Sequence, residues 1–443
     1  MTPDADGLEL LRELIRNACV NEGTPESGFE IRSVRTLEHF FAGTGLDYEV
    51  VEPLPGRASL VGRIRGTDPD APSLALLGHL DVVPAEPAAW QRDPFGAEIV
   101  DGTLWGRGTI DMLGLTAAMA VVVKRILVAG VRPAGDLVFA ATADEEAGGA
   151  HGVGWIVENR PELLDVDYAL TENGGVQLGP DETPGILLTV GEKGIAALTL
   201  TLSGRPGHGS VPFGSDGAAG VAADVIRRLL DAPGEPVVQE HWAAFARALA
   251  LPDDLTHRLT DPATLDEALP ELGALAGYAH ALTHLTAAPN IVSVGSKLNV
   301  IPGSGSVRVD SRLLPGQTAD DAVRHVTDVL GPLAARVAIE VDEEVPAGLS
   351  PWHSPLVDVV AEVFGEFQPG SHLVPLVASG GTDGRYLRER GTHVYGIGLY
   401  SREVELGDYR RRFHGNDERV DLASLALTER SLAAVVERFL KLG

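Results

Sequence analysis

The sequence has a single cysteine, Cys19, among its 443 residues, so no disulfide can form within the chain. That scarcity suits a reducing compartment. No apolar run approaches the roughly 20 residues that a membrane-spanning helix needs. The first residues place acidic side chains before a helical apolar pattern and lack the basic and then apolar order of a secretory signal. We therefore predict a cytoplasmic protein whose N-terminal segment forms its first helix.

Basic residues are also scarce, with 35 Lys and Arg against 63 Asp and Glu, which gives a formal net charge of −28. Nucleic acids and anionic membrane surfaces favour clustered Lys and Arg, so neither is an expected partner. Hydrophobic residues make up 44% and charged residues 22% of the chain, as in globular proteins with a large core rather than in disordered chains. The length fits two domains.

The first part of the chain alternates strand-like and helix-like segments. SLALLGHLDVV and DLVFAATADEE are typical of buried strands, and TAAMAVVVKRILVAG is typical of a helix that ends at Gly130. This alternation predicts an α/β fold. The polar residues follow the carboxyl ends of the strands, where open α/β sheets usually bind their ligands.

From residue 191 to residue 347 the pattern changes to the order β-α-β-β-α-β, which predicts a ferredoxin-like domain. A segment with helical spacing, near residues 233–289, interrupts it, and its pattern alone assigns it no role. After residue 348 a helix, a glycine-rich turn, a strand and a final helix could complete the first sheet. We therefore predict a catalytic α/β domain split between residues 1–190 and 348–443, with the smaller domain inserted.

Two polar sites in the first part suggest metal chemistry. His79 and Asp81 alternate by two in an extended segment, so their side chains point the same way. His79 could give a ring nitrogen to a metal while Asp81 accepts the other ring N–H. Asp111 stands in GRGTIDM, just before a helix. Each has a simpler alternative, a hydrogen-bonded histidine at a strand end and a helix cap respectively.

The segment ATADEEAGG adds two adjacent carboxylates, Glu145 and Glu146, at the end of a wholly apolar strand. Burying both is costly unless a cation compensates them. One could bind a metal while the other takes a proton from a bound water. Glu172 ends another strand, and His414 lies in a polar loop. These ligands are too many for one tetrahedral zinc, so a bridging Asp111 would give two metals and a bridging water.

The motifs GHLDVVP, LWGRGTIDM, ATADEEAGG, GEKGIAALTLTLSGRPGHGSVP, LNVIPG, VDSRLLPG, SGGTDGRYL and FHGNDE follow one another along most of the chain. In this order they resemble the co-catalytic zinc hydrolases, which include aminoacylase, acetylornithine deacetylase, succinyl-diaminopimelate desuccinylase and glutamate carboxypeptidases. The resemblance implies that the inserted domain is a lid and dimerisation domain. Mixed nitrogen and oxygen ligation suits two Zn²⁺ ions, with Co²⁺ or Mn²⁺ as alternatives.

The resemblance also assigns the metal ligands. It implies that one metal is held by His79, Asp111 and Glu172, and the other by Asp111, Glu146 and His414. Glu145 would be the general base and Asp81 would support His79. A cis peptide bond is expected after Asp111.

In the inserted domain, the resemblance implies that His208 reaches the active site of a partner subunit and donates a hydrogen bond to the oxyanion, which requires a homodimer. The alternative for His208 is an ordinary surface loop. Asn299 and Arg312 match substrate-binding positions, and Arg312 suits a bidentate contact with a carboxylate. Backbone N–H groups near Gly381 and Thr382, in the loop SGGTDGR, could bind the same carboxylate. For Asn299 and Arg312 the alternatives are a turn hydrogen bond and a strand-end salt bridge.

These features predict a metal-dependent hydrolase that cleaves a peptide or amide bond next to a free carboxylate, by a metal-bridging water that Glu145 activates. The helical insertion resembles the subgroup that includes carboxypeptidase S and N-acyl-amino-acid hydrolases, which favours peptides or N-acyl amino acids as substrates. We predict an enzyme of the dipeptidase or carboxypeptidase type that acts on a small peptide. The alternative is a deacylase of N-acyl amino acids, of the acetylornithine deacetylase or succinyl-diaminopimelate desuccinylase type. Two further alternatives are a non-catalytic homologue and an unrelated two-metal aminopeptidase that recognises a free amine.

Overall fold

Two β-sheets of different size organise the protein, whose computed structural model describes residues 2–442. The α-helices are α1 (Ala5–Arg16), α2 (Ile31–Phe40), α3 (Leu113–Ala129), α4 (Val153–Asn159), α5 (Ala218–Asp231), α6 (Glu240–Ala248), α7 (Asp253–Leu259), α8 (Leu265–Ala268), α9 (Ala276–Thr283), α10 (Ala319–Leu330), α11 (Pro355–Phe367), α12 (Gly384–Arg388), α13 (Leu406–Arg412) and α14 (Leu422–Phe439). Short 3₁₀-helices span Pro87–Ala89, Glu145–Ala147, Pro161–Leu163, Leu269–Leu275 and Gly331–Arg336. Within these residues no helix has both the length and the apolar character needed to cross a membrane.

The strands follow the same chain order. They are β1 (Asp47–Leu54), β2 (Arg57–Ile64), β3 (Leu74–His79), β4 (Glu98–Val100), β5 (Thr103–Trp105), β6 (Leu137–Thr142), β7 (Tyr168–Thr171), β8 (Gln177–Leu178), β9 (Gly185–Glu192), β10 (Gly194–Ser203), β11 (Gly207–His208), β12 (Thr286–Val294), β13 (Val300–Ile301), β14 (Ser304–Leu313), β15 (Val337–Val345), β16 (Gly348–Leu349), β17 (His372–Ala378), β18 (His393–Gly396) and β19 (Arg419–Asp421).

The large sheet has the order β1-β2-β6-β3-β7-β18-β9-β16, and β8 and β17 also pair with β9. Its central strands β3, β6, β7 and β18 are parallel. Every residue of β3 and β6 is buried, because helices cover both faces. The chain leaves this sheet after β9 and returns to it with β16, β17 and β18. The prediction that the last part of the chain completes the first sheet is therefore confirmed.

The small sheet is antiparallel, with the order β12-β14-β10-β15. Helices α5 and α10 pack on one of its faces, with Val225 and Val326 fully buried between the layers. Along the chain the order is β10, α5, β12, β14, α10 and β15, which is β-α-β-β-α-β. The predicted fold class, an α/β sheet interrupted by a ferredoxin-like unit, is confirmed. The predicted boundaries near residues 190 and 347 stay a prediction.

The segment near residues 233–289 contains helices α6 to α9. Their buried side chains, among them Trp242, Phe245 and Leu259, belong to the apolar core of the large sheet rather than to that of the small sheet. Helix α6 lies against β17. The insertion thus begins and ends within the small unit but packs on the large one. Helical spacing in the sequence indicates an apolar face and does not indicate which surface covers that face.

Candidate dinuclear metal site

Three neighbouring strands of the large sheet end at one edge, and the candidate ligands follow them directly. His79 is the last residue of β3 and pairs in register with Thr142, the last residue of β6. Glu145 and Glu146 come three and four residues after β6, and Glu172 follows β7. Because these strands are parallel, their carboxyl ends meet, which brings side chains from distant parts of the chain together.

Asp111 reaches this edge from the loop before α3, and a buried carboxylate shapes that loop. Glu418 accepts hydrogen bonds from the backbone N–H of Ile110 (2.7 Å), Asp111 (3.2 Å) and Gly108 (3.0 Å). It also pairs with Arg107 at 2.9 Å. The peptide bond after Asp111 is cis, as the resemblance implied. Sequence reasoning gave Glu418 no role, although it stands in the FHGNDE motif beside His414.

The carboxylate of Asp111 lies between the two histidines. Its Oδ1 is 3.2 Å from His79 Nε2, and its Oδ2 is 3.2 Å from His414 Nε2. His414 Nε2 is also 3.1 Å from Glu146 Oε2, and His79 Nε2 is 3.8 Å from Glu172 Oε1. The two halves of one carboxylate therefore face different imidazoles, each with a second carboxylate beside it. This is the arrangement that two cations sharing one bridging ligand require.

Glu145 lies within the same cluster. Its Oε2 is 3.9 Å from His79 Nε2, and one oxygen of Glu145, one of Glu172 and a ring nitrogen of His79 lie within 4.8 Å of one another. Geometry therefore places Glu145 where it could contact a metal or a water beside one. Its assignment as the base, like the division of ligands between two metals, stays a prediction.

The donor set fits divalent cations. Burial raises the pKa of Glu172 and of Glu145 well above the usual value, and burial with the nearby charge of Asp111 raises the pKa of Glu146 to about 7. Glu146 Oε1 is buried and has no hydrogen-bond partner among residues 2–442. Carboxylates crowded in this way need positive charge, and two imidazoles alone do not supply enough. Nitrogen and oxygen donors at this spacing suit Zn²⁺ or a similar ion.

Asp81 supports the site differently from the prediction. His79 Nδ1 faces the backbone carbonyl of Asp81 at 2.9 Å, whereas the carboxylate oxygen is 3.6 Å away. The turn after β3 brings the carbonyl nearer than the side chain. The carboxylate instead accepts hydrogen bonds from Asn21 Nδ2 (2.8 Å) and from the backbone N–H groups of Glu145 (3.3 Å) and Glu146 (3.1 Å). It therefore orients the glutamate pair directly, and His79 through its own backbone.

A buried ionic network, not anticipated from the sequence, holds the turn that carries Glu145. Asp144 has a positive φ of 73° and accepts a hydrogen bond from Arg57 Nη2 at 2.5 Å. Arg57 Nε lies 3.0 Å from Glu30 Oε2, and the side chains of Arg57 and Glu30 are 2% and 0% exposed. A charged pair this deeply buried fixes the local backbone, because the pairing is lost if either partner moves. The sequence signal is weak, since Glu30, Arg57 and Asp144 lie in three separate segments of the chain.

The cluster opens into a cavity of about 300 Å³. Its lining residues are Asp111, Glu145, Glu146, Glu172, Asn173, Ala378, Ser379, Gly380, Gly381, Arg410, Phe413 and His414. Gly381 was predicted to bind substrate and does line the cavity. The N–H of Thr382, also predicted to do so, donates a hydrogen bond to the carboxylate of Glu192 instead. Arg410 and Phe413 were not anticipated.

The predicted lid residues are not part of this cavity. His208 is exposed, and its Nδ1 lies 2.7 Å from Ser210 Oγ. Asn299 is exposed, and its carbonyl accepts a hydrogen bond from the N–H of Gly209. Arg312 pairs with Asp310 at 2.9 Å. The structure therefore brings together the metal-ligand candidates, Glu145 and Asp81, and leaves these three on the small unit, where their roles stay predictions.

Comparison with known proteins agrees with this architecture. A family model described as peptidase family M20/M25/M40 matches residues 75–438. "Probable carboxypeptidase S-like 2" from Dictyostelium discoideum is 27% identical, with 82% of this chain and 71% of the relative covered. Succinyl-diaminopimelate desuccinylase from Xanthomonas euvesicatoria pv. vesicatoria (strain 85-10) is 28% identical, with 84% of each chain covered.

A solved structure shows the same fold. The M20 family metallo-carboxypeptidase Sso-CP2 from Sulfolobus solfataricus superposes with a TM-score of 0.72 at 18% sequence identity, with 99% of each chain covered. The family match covers the candidate ligands, the large sheet apart from β1, β2 and the first residue of β3, and the inserted small sheet. The protein is therefore a metallohydrolase that belongs to peptidase family M20/M25/M40.

Proposed function

We propose that the protein uses two divalent metal ions, with Zn²⁺ as the first candidate, to cleave a peptide or amide bond next to a free carboxylate. Its reaction would be that of a dipeptidase or carboxypeptidase on a small peptide. The observation that carries this proposal is the position of Asp111 between His79 and His414, with Glu145 beside them. Membership in a family of metallopeptidases and amidohydrolases supports the reaction class.

Bound metal ions would supply positive charge that polarises the scissile carbonyl and lowers the pKa of a water molecule. His79, Asp111 and Glu172 would hold one ion, and Asp111, Glu146 and His414 the other. Asp111 belongs to both sets of ligands, because each of its carboxylate oxygens faces a different imidazole.

Glu145 would act as general base and then as general acid. Its carboxylate would take a proton from the attacking water and then pass that proton to the leaving nitrogen. The hydrogen bonds from the N–H groups of Glu145 and Glu146 to Asp81 fix the backbone that carries it. His208, from a partner subunit, would donate a hydrogen bond to the oxyanion.

The alternative substrate class is an N-acyl amino acid. Relatives named as a carboxypeptidase S-like protein and as a desuccinylase are 27% and 28% identical, so identity does not favour either. The helical insertion is compatible with both substrate classes, because it resembles the subgroup that includes carboxypeptidase S and N-acyl-amino-acid hydrolases. Both reactions would use the same metal site and the same base.

A homodimer in the cytoplasm is part of the proposal. Strand β12 is an edge strand of the small sheet, and apolar side chains around it and the β11–β13 pair are exposed, among them Ile291, Phe213 and Leu298. Exposed apolar surface of this kind is typical of a protein interface. The proposed role of His208 requires that the dimer bring His208 of one subunit to the site of the other.

The test is turnover by purified protein loaded with Zn²⁺ or Co²⁺ on dipeptides and N-acyl amino acids, measured by detection of the released amine. We expect Glu145→Gln to lower kcat at least about 100-fold, because the amide cannot take a proton. Metal content, measured by elemental analysis, should remain near that of the wild type. The exposed Glu86→Gln is the matched control.

Two results would contradict the proposal in different ways. Hydrolysis by Glu145→Gln at the wild-type rate would overturn the assigned base. If the metal-loaded wild type hydrolyses none of these substrates, the proposed substrate class is wrong.

A further inference from the structure

Arg410 is a cation in a cavity whose lining includes four carboxylates. It stands in α13, four residues before His414, and lines the cavity together with Asp111, Glu145 and Glu146. No carboxylate within residues 2–442 forms an ion pair with its guanidinium. Its neighbours along the helix differ, since Arg411 and Arg412 both pair with Asp408.

The guanidinium is held in place by neutral groups. Arg410 Nη2 donates a hydrogen bond to Ser379 Oγ at 3.1 Å, and its Cζ lies 4.0 Å from the centroid of the Tyr278 ring. The Phe413 ring is 5.9 Å away. An arginine has five N–H donors, and one hydrogen bond uses one of them. Contact with an aromatic face positions the group and leaves its other N–H donors available to an anion.

The glycine-rich loop that Arg410 contacts supplies further donors. Gly380 and Gly381 follow Ser379 and line the same cavity. Their backbone N–H groups have no acceptor in the part of the chain that the structure describes. The next N–H, that of Thr382, is already bonded to Glu192. Successive free N–H groups beside a guanidinium form a binding place for a carboxylate.

We propose that Arg410, with the N–H groups of Gly380 and Gly381, binds the carboxylate of the substrate that lies next to the scissile bond. This inference rests on the proposed function and names the residue that determines its specificity. The four carboxylates of the cluster repel a second anion, and the guanidinium of Arg410 in the same cavity offsets that repulsion. Arg312, which the family resemblance favours for this contact, already pairs with Asp310 on its own strand.

The proposal also gives the helical insertion a part in recognition. Tyr278 belongs to α9, whose buried residues pack into the core of the large sheet. Its ring lies against the guanidinium of Arg410 and also contacts Phe245 of α6, with the ring centroids 6.4 Å apart. Through Tyr278, the helical insertion therefore helps to hold the guanidinium of Arg410 in position.

The experiment compares a dipeptide that has a free C-terminal carboxylate with its C-terminal amide. The wild type should prefer the carboxylate, measured as the ratio of the two kcat/KM values. Arg410→Met should lower that ratio about 10- to 100-fold, mainly through KM for the carboxylate, since one charge-assisted contact is lost. Arg410→Lys keeps the charge but not the paired geometry and should give an intermediate ratio. Arg411→Met, beside it on the helix, should leave the ratio unchanged.

A second measurement tests Arg410 without turnover. The free amino acid and its amide are titrated into metal-loaded protein by calorimetry, and carboxylate-dependent binding should disappear in Arg410→Met and persist in Arg411→Met. An unchanged preference in both Arg410 variants overturns the proposal. So does loss of the preference only in Arg312→Met. Carboxylate-dependent binding by Arg410 without hydrolysis of any substrate would support this inference and contradict the proposed function.

Discussion

At the scale of single residues, the site depends on charges that are buried together. Asp81 and Asp144 are not among the residues that line the cavity, yet both fix the turn that carries Glu145. Asp81 does so through two backbone N–H groups, and Asp144 through Arg57. The arrangement of the buried charges therefore depends on these supporting residues as well as on the candidate ligands.

Arg57 provides a test of that buried network. Arg57→Met should lower the free energy of unfolding by about 3–5 kcal/mol, because Glu30 and Asp144 would remain buried without their partner. Chemical denaturation measures this change. Arg63→Met is the control, since Arg63 is more exposed and pairs with the partly exposed Asp136, so its loss should be smaller. Equal losses in the two variants would contradict the importance assigned to the Arg57 network.

The pKa of Glu146 predicts how stability and metal binding vary with pH. Burial, with the charge of Asp111, raises the pKa of Glu146 from 4.5 to about 7. A carboxyl group with a raised folded-state pKa favours folding while protonated, and that contribution is lost as the pH rises from 4.5 through about 7. Metal binding needs the carboxylate and offsets its charge.

Chelation should therefore lower the Tm more at pH 8 than at pH 6. Thermal unfolding with and without a chelator at the two pH values measures the difference. A variant that lacks the titrating carboxyl, Glu146→Gln, should show a smaller dependence on pH. An equal effect of the chelator at both pH values in the wild type would contradict the assignment.

At the scale of secondary structure elements, the helical insertion connects the two units. Lys193 lies between β9 and β10, where the chain passes from the large sheet to the small one. Its ammonium donates hydrogen bonds to the carbonyls of Ala281 and His284 at the end of α9, at 2.8 Å and 2.7 Å. Helix α9 therefore contacts both this crossing and, through Tyr278, the wall of the cavity.

Tyr278 tests whether that helix acts through packing or through a polar contact. The Tyr278 hydroxyl is buried and has no hydrogen-bond partner among residues 2–442, so Tyr278→Phe should leave stability unchanged or slightly raised. Tyr278→Ala should lower the free energy of unfolding by about 3 kcal/mol, because the ring is lost from between α6 and α13. Thermal unfolding and KM would be measured for both variants. A large loss in Tyr278→Phe would indicate a polar partner for the hydroxyl.

At the scale of the whole molecule, the proposed role of His208 requires two copies of the chain. In the described chain His208 is exposed and does not line the cavity that holds the metal-ligand candidates. A residue so placed can contribute to catalysis only if another subunit or a movement of the small unit brings it to a site. The two cases predict different activities for dimers that combine subunits of two variants.

Mixing the inactive variants His208→Ala and Glu145→Gln distinguishes them. If His208 acts across the interface, a mixed dimer has one site with an intact Glu145 and the partner's intact histidine. Random exchange of subunits should then restore about one quarter of the wild-type activity. As a control, mixing two samples of the same variant should restore no activity. Absence of recovery after confirmed subunit exchange would contradict the role across the interface.

The parts of the site that could be predicted were those with a local signature. Histidine and carboxylates at the ends of apolar strands, such as His79 and Glu172, carry their signal within a few residues. Arg57, Glu418 and Arg410 carry no such signal, because each becomes important only through partners far away in the chain. Asp81 shows an intermediate case, since its proximity to His79 was predicted but the acceptor proved to be its carbonyl.

The sequence by itself determined the fold class, the interruption of one sheet by a smaller unit, and the residue types that gather at the strand ends. Periodicity and motif order encode these features, and both are local properties of the chain. Only the tertiary structure decided that the helical insertion packs on the large sheet and that Arg410 lies unpaired among the carboxylates of the cavity. Side-chain partners depend on which elements become neighbours, and that is settled when the whole chain packs around its core.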